Sequence, residues 1–537
     1  MVFSVSPSVT IREVDATATI PAIATPPAAI AGVFRWGPVN ERILITSENE
    51  LVSRFGKPTD ANYETFFTAA DYLSYSNALY VTRATSTAAN TASGTYFKAK
   101  YPGELGNSIE VSYVTGSQSY EQNLFTTIDN TGDDDNISVG TNQFVIISTD
   151  DISATLSSGD VIRVGTSATG YQNMIVDTYT IVVDVNDNNT ANTADDFNVY
   201  TYTINFKNRY SLPITLYSQL EYKRFWGKSY LFSSAPTSGN MHIVVADKNG
   251  VITGVRDTIL EVYENVSKSP TARLSDGSNN YYATVLENKS SWVIANPSES
   301  LDSSGDTDGY ESLANGADGA NESAIPLGNI AVAYDLYKDS ADVDIAFILQ
   351  GKANGANLAN YITQNIAENR KDCVAFISPT FADVVSPSNP VTKMNNVIAF
   401  RSLVQNSSYA FIDSGYKYRY DKYNDTYRWV PLNGDMAGLC SRIEAWESPA
   451  GYKRGIIKNV VKLAFNPNKE QRDQLYGNDI NPVISQVGQG VLLFGDKTAL
   501  GTATGSAFTR INVRRLFITV EKAIATTAAS FLFDFND

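Results

Sequence analysis

Two short runs, VDIAFILQG from Val343 and DCVAFISP from Asp372, constrain this chain more than any other feature. Apolar residues at consecutive positions of a strand point to both faces of the sheet, so both faces must be covered. The intervening stretches supply that cover. GNIAVAYDLYKDS places Ile330, Ala333, Tyr334 and Tyr337 on one helical face, and ANLANYITQNIAENR does the same with Leu358, Tyr361, Ile362 and Ile366. NNVIAFRSLVQ and YAFIDS repeat the unit. The N-terminal third has a similar rhythm. A strand and short helix in RILITSENELVSRFG precede YETFFTAADYLSYSN, with Phe67, Ala70 and Leu73 at helical spacing, and then the strand ALYVTRA. The expected class is a multidomain α+β and α/β chain, with mixed sheets flanked by helices.

At 537 residues the chain is too long for one core. Residues 1–25 hold too few large apolar groups to pack and read as an extended arm, with Val5, Val9, Ile11 and Val14 as its contact residues. Residues 26–116 and 237–325 read as two parts of one core, and 326–537 as a C-terminal α/β region. Between them, residues 117–236 are rich in Asp, Asn, Thr and Ser with short β-runs, and read as an inserted β-rich surface domain. Asn249-Gly250 predicts a hairpin turn between two strands. Near the end, NVRRLFITVEKAI aligns Val513, Leu516, Phe517, Val520 and Ile524 on one helical face, with Asn512 as N-cap.

Charge and chemistry exclude several functions. Lys+Arg 41 against Asp+Glu 57 gives a net charge of -16, which repels polyanions, so no nucleic-acid partner is expected. The single histidine, His242, lies in a strand pattern and reads as a locally satisfied sheet residue. There is no HExxH, CxxC or GxxxxGK[ST] motif, and Cys373 and Cys440 stand far apart in apolar contexts. No cofactor, catalytic residue or metal centre is expected. Asp184, Asn186, Asn188 and Asp195 match calcium-loop positions one, three, five and twelve, but Asn189 occupies the glycine position. A solvated acidic loop is the preferred reading. The N-terminus lacks a signal peptide, and no apolar stretch approaches the ~20 residues of a membrane span. The chain reads as soluble, made in a cytoplasm, without membrane insertion.

The segment YKYRYDKYNDTYRWVP, Tyr416 to Pro431, interleaves aromatic and basic residues. Its period of two on either side of a turn predicts a hairpin, with aromatics facing the core and charges facing water.

That segment opens a longer ordered set: GYKYRYDKYNDTYRWVPLNGDMAGLCSR, SPAGYKRGIIKNVVKLAFN, QRDQLYGNDINPV, GVLLFGDKTA and FTRINVRRLF. Together with AAIAGVFRWGP, FGKP and YPGELGNSIEV, the set closely resembles the tail sheath proteins of contractile-tailed bacteriophages, above all the T-even-like myoviruses. The resemblance spans roughly residues 1–115 and 240–537. It implies a structural subunit of a viral contractile tail ejection system. Such subunits stack as sixfold rings around the tail tube, with baseplate and tail terminator proteins at the ends. They assemble in the host bacterial cytoplasm and reside in the virion tail. It also implies that the N-terminal arm joins a neighbouring subunit. Two arginines in the first turns of a helix oppose its dipole and point to an acidic partner, so Arg510, Arg514 and Arg515, with Lys522, read as contacts to the tube or an adjoining subunit, the alternative being a local salt bridge to the chain's own carboxylates. Family members continue past the segment resembling FLFDFND, so at Asp537 a final C-terminal arm is expected to be lacking. The alternative is a virion surface protein binding host cell-wall glycans through residues 117–236, with Phe225 and Trp226 as candidates. A peptidoglycan hydrolase is a more distant one.

Overall fold

The computed structural model describes residues 27–115, 228–301, 309–501 and 505–529. Between 116 and 227 it describes residues 122–123, 136–137, 139–148, 160–166, 170–186, 197–212, 215–216 and 221–225. The chain forms two compact units, Met1–Ala88 with Gly319–Asp537, and Ala89–Asp318.

The first unit is built on a six-stranded sheet. Its strands are β1 (Ala28–Gly32), β2 (Arg42–Ile45), β3 (Leu79–Arg83), β4 (Phe347–Leu349), β5 (Val374–Ile377) and β6 (Ala410–Ile412), in the order β2-β3-β1-β4-β5-β6. All neighbours run parallel except β2, which pairs antiparallel with β3. The expectation of a doubly covered sheet holds strand by strand. Ala28, Ile30, Phe347, Leu349, Val374, Phe376 and Phe411 enter one core, and Ala29, Ala31, Ile348, Ala375, Ile377, Ala410 and Ile412 enter another. Helices α1 (Glu48–Phe55) and α2 (Tyr63–Leu73) pack into the first core. Helices α3 (Leu327–Asp335) and α4 (Ala356–Tyr361), the latter continuing as a π-helical turn to Glu368, pack into the second. Of the predicted helical residues, Ile330, Ala333, Tyr334, Tyr337, Leu358, Ile362 and Ile366 are buried, and Tyr361 is half-buried.

A longer helix α5 (Pro390–Leu403) leads to β6. Then come the hairpin β7 (Tyr416–Asp421) and β8 (Thr426–Pro431), helix α6 (Asn433–Ser441), the hairpin β9 (Val483–Gln486) and β10 (Gly490–Leu493), and the last helix α7 (Ile511–Ala529).

In the second unit the described strands form antiparallel sheets. One orders Gln122–Asn123, Glu221–Phe225, Val161–Thr166, Gly170–Asn186, Phe197–Phe206 and Gln143–Ser148 around a core of Phe144, Ile162, Val164, Met174, Tyr202 and Ile204. Another orders Thr258–Ser267, Asn240–Asp247, Ile109–Val114 and Gly309–Ser312. The hairpin read at Asn249-Gly250 is wider than predicted, because its second strand begins only at Thr258. The Asp247 carboxylate accepts from the Ile252 and Thr253 amides at 2.9 and 2.7 Å, which folds those residues into the loop instead of the strand. His242 behaves as expected. Its Nδ1 accepts the Asn265 amide at 2.9 Å, its Nε2 faces Ser234 O at 2.8 Å, and burial holds its pKa below the usual value.

Among the described residues, no helix is long and apolar enough to cross a membrane.

Candidate functional site

In a parallel α/β sheet, ligands bind beyond the carboxyl ends of the strands, where neighbouring connections diverge. Here that point lies between β1 and β4, because the chain moves from β1 to β3 on one side and later to β4 on the other. The edge is closed by a row of buried polar side chains. Gln350 Oε1 accepts the Ser378 amide at 3.0 Å, and Ser378 Oγ donates to Asp413 at 2.6 Å. Asn433, at the start of α6, bonds the Gly351 carbonyl and Ser378 Oγ at 3.0 and 3.2 Å. Beside Gly32, Thr65, Glu322 and Lys352 the remaining space is about 10 Å³, room for no more than a water. Ser378 and Asp413 are both fully buried. The side chains at this edge are enclosed and bonded to one another and to the neighbouring backbone.

The hairpin β7–β8 forms as its alternation predicts, but with its faces reversed. Lys417, Arg419 and Asp421 are buried, whereas Tyr420 and Tyr427 are exposed and Tyr418 and Trp429 half-buried. Of the aromatics on β7, Tyr416 alone is buried. The reason is the partners the charges meet. Lys417 Nζ lies 3.0 Å from Asp71 on α2 and 2.8 Å from Asp435 on α6. Arg419 pairs with Asp71 and sits 4.2 Å above the Phe67 ring. Asp421 accepts from Arg428 Nε at 2.7 Å. A buried charge is tolerated only with such partners, and these come from other elements. The outward face is an aromatic ladder, with Tyr418 stacked on Tyr427 at 5.4 Å and beside Trp429 at 4.6 Å, and Lys462 Nζ above both Tyr418 and Trp429.

Helix α7 shows the same inversion. It begins at Ile511, two residues earlier than predicted, and Asn512 donates its side-chain amide to Trp446 O at 3.1 Å instead of capping the helix. Ile511, Arg514, Arg515 and Ile518 face inward, while Phe517, Val520 and Ile524 are 44%, 45% and 62% exposed. Arg515 donates to the Cys440 and Ile443 carbonyls at the end of α6, at 2.8 and 3.2 Å. A guanidinium there satisfies carbonyls that a helix end leaves unpaired. Arg514 lies over the Phe508 and Tyr409 rings at 3.8 and 4.3 Å. Arg510 pairs with Asp496, and Lys522 lies 3.5 Å from Asp372; both remain partly exposed. Next to α7 opens a cleft of about 540 Å³, lined by Phe347, Ile443, Ile518, Lys522 and the exposed Trp446.

The other sequence candidates stay dispersed. Val5, Val9, Ile11 and Val14 lie outside the described residues. So do Asn188 and Asp195; Asp184 sits in a strand opposite Val199, and Asn186 ends that strand. Among the described residues, no cluster of three His, Cys, Asp or Glu side chains is placed to hold a metal. Phe225 ends a strand, and Trp226 lies outside the described residues. Cys373 and Cys440 are buried free thiols, pushed up to about 12 and about 11 by burial.

What the described residues offer is therefore surface: an outward aromatic hairpin, an outward apolar helix stripe and the cleft beside that helix. The sequence missed the buried charge cluster, because alternation reports a period and says nothing of the partners other elements bring.

Residues 345–499 match the phage tail sheath protein central domain, and residues 27–84 match the tail sheath protein Gp18 domain III N-terminal region. The tail sheath protein of Salmonella phage ViI is 31% identical, over 100% of this chain and 85% of its own length. That of Enterobacteria phage T4 is 29% identical, over 99% and 87%. Both alignments run through 117–236, where the sequence motifs alone show no resemblance. A solved sheath tail protein from Listeria innocua is 10% identical, covering 92% of this chain and 74% of that one, with a TM-score of 0.47, too loose a likeness to add to the argument.

Proposed function

Because the chain belongs to the phage tail sheath protein family, as a structural subunit of a contractile tail sheath, we propose that it polymerises as a helix of sixfold rings around a tail tube. In this reading the sheath is bounded by baseplate and tail terminator proteins, is assembled in the host bacterial cytoplasm, and contracts to drive the tube through the host envelope. The subunit itself has no enzymatic activity. The observation that carries the reading is the likeness to the Salmonella phage ViI sheath protein along the whole chain. The sealed sheet edge and the outward apolar surfaces fit it, since a helical polymer needs heterologous, non-closing contacts.

Residues 1–25 act as an arm that adds a strand to a neighbouring subunit through Val5, Val9, Ile11 and Val14. Main-chain hydrogen bonds of that kind hold while rigid bodies turn. Residues 117–236 form a separate surface domain. The contact with the tube or an adjoining subunit runs along α7, through Phe517, Val520 and Ile524, with Arg510 and Lys522 at its rim. Arg514 and Arg515 act from behind by fixing the helix to the core.

The test is negative-stain electron microscopy of the chain supplied with its tail tube and baseplate. Striated tubes are expected from the intact chain and none from a chain lacking residues 1–25. Absence of tubes and rings from the intact chain would sink the proposal. Val520→Glu with Ile524→Glu is expected to leave the monomer's stability within about 0.5 kcal/mol, because both side chains are surface-exposed, while abolishing tubes. Normal tubes from that variant would remove α7 from the contact.

A further inference from the structure

The chain leaves the first unit after Ala88 and returns at Gly319. At the return, Ala320 N donates to Ser86 Oγ at 2.9 Å, and Asn329 Nδ2 to Thr85 O at 3.0 Å. Glu322 N donates to Ala61 O at 2.9 Å, and the Glu322 carbonyl accepts from Asn354 Nδ2 at 2.8 Å. Its side chain does more. The two carboxylate oxygens each accept a first-turn amide of α2, Glu64 N and Thr65 N, both at 3.0 Å.

Those amides are donors that a helix start leaves unpaired. Asn62, at the N-cap, makes no side-chain cap bond; its Oδ1 is engaged by the Thr59 amide at 2.8 Å. A helix N-terminus is a natural seat for an anion, and here the anion arrives from 258 residues away. Cationic and hydroxyl groups complete the surroundings. Lys352, from the turn after β4, pairs with Glu64, and Tyr416, from β7, donates to Glu64 at 3.1 Å. Glu322 is buried, and burial beside Glu64 raises its pKa to about 7.

We propose that Glu322 is a latch, an internal carboxylate ligand seated on the α2 amides that clamps the returning chain onto the first unit. When the carboxylate is lost, residues 85–88 and 319–324 open as a local unit while the six-stranded sheet stays closed. The bonds of this strap run to α2 and the loop before it, to the loop after β4 and to the start of α3, and none is a ladder bond of the sheet. Ala84, whose amide donates to Gly32 O at 2.8 Å, and Ile325, buried in the second core, stay with the sheet. Local opening without global unfolding is the behaviour expected of such a segment.

The test is native-state hydrogen exchange on the full-length monomer, which does not depend on sheath assembly. In Glu322→Ala, exchange at Glu64, Thr65, Ala320 and Ala324 is expected to rise about 10- to 100-fold, the size of effect of losing charge-assisted bonds. Exchange at Ile30, Leu349 and Phe376 is expected to stay within about twofold, as for a subglobal opening. Added acetate, the missing carboxylate in free form, should restore protection at Glu64 and Thr65. Glu322→Gln keeps the shape and one acceptor, and should show a smaller rise at the same amides. Unchanged exchange in the strap of both variants overturns the latch. So does a rise that spreads equally to the sheet, or a loss in the alanine variant that acetate leaves unrepaired.

Discussion

Lys417→Met is expected to destabilise the first unit by about 3–5 kcal/mol, the cost of leaving a buried charge without its partner. Lys417 has 0% side-chain exposure and lies between Asp71 and Asp435, which are 1% and 0% exposed. Its third contact is the Lys458 carbonyl at 3.0 Å. Once the cation is removed, Asp71 keeps Arg419, but Asp435 keeps only the Tyr75 hydroxyl at 3.0 Å. Burial already pushes the Asp435 pKa up to about 6, and Lys417 is the main group opposing that rise. The penalty should therefore shrink at acid pH, where Asp435 can protonate, and adding Asp435→Asn should recover at least half of it. Urea denaturation at pH 8 and pH 5 gives the comparison. A loss below about 1 kcal/mol at pH 8, the scale of a surface pair, would show that the cluster is solvated in solution.

The second large effect is a pH dependence assigned to Asp413. This carboxyl sits fully buried at the end of β6, and burial pushes its pKa up to about 8 against hydrogen bonds from Ser378 and Gly415. The folded pKa lies above the unfolded value of about 3.9, so folding favours the protonated form. The stability from this group is fully present below about pH 4 and is lost as pH rises towards 8, at about 1.4 kcal/mol per unit. Asp413→Asn mimics the protonated carboxyl and removes that slope. Between pH 5 and pH 8 the wild-type chain is expected to lose on the order of 3–4 kcal/mol relative to the variant. Other titrating groups are common to both chains and cancel in the difference. Parallel stability curves would mean that Asp413 is ionised in the fold.

Both effects arise where the sequence is hardest to read. The alternation in YKYRYDKYNDTYRWVP identifies the hairpin, and hydrophobicity then assigns the tyrosines to the core. The structure buries Lys417 and Arg419 instead, because α2 and α6 bring Asp71 and Asp435 beneath them, and buries Asp421 against Arg428 of the facing strand. In α7 the apolar stripe has the predicted phase, yet Phe517, Val520 and Ile524 face outward while two arginines face in. Periodicity finds a face; it does not say whether that face packs within the chain or against another molecule.

The runs VDIAFILQG and DCVAFISP by themselves determined a sheet covered on both sides, since no strand can leave consecutive apolar residues in water. Spacing within each segment determined where the covering helices lie. Only the tertiary structure decided which face of the hairpin and of α7 turns inward, and that Glu322 seats on α2. Those choices depend on electrostatic partners 18, 75, 258 and 346 residues distant. The cost of burying a charge or an unpaired carbonyl is set by the group that meets it, and local pattern carries no information about that group.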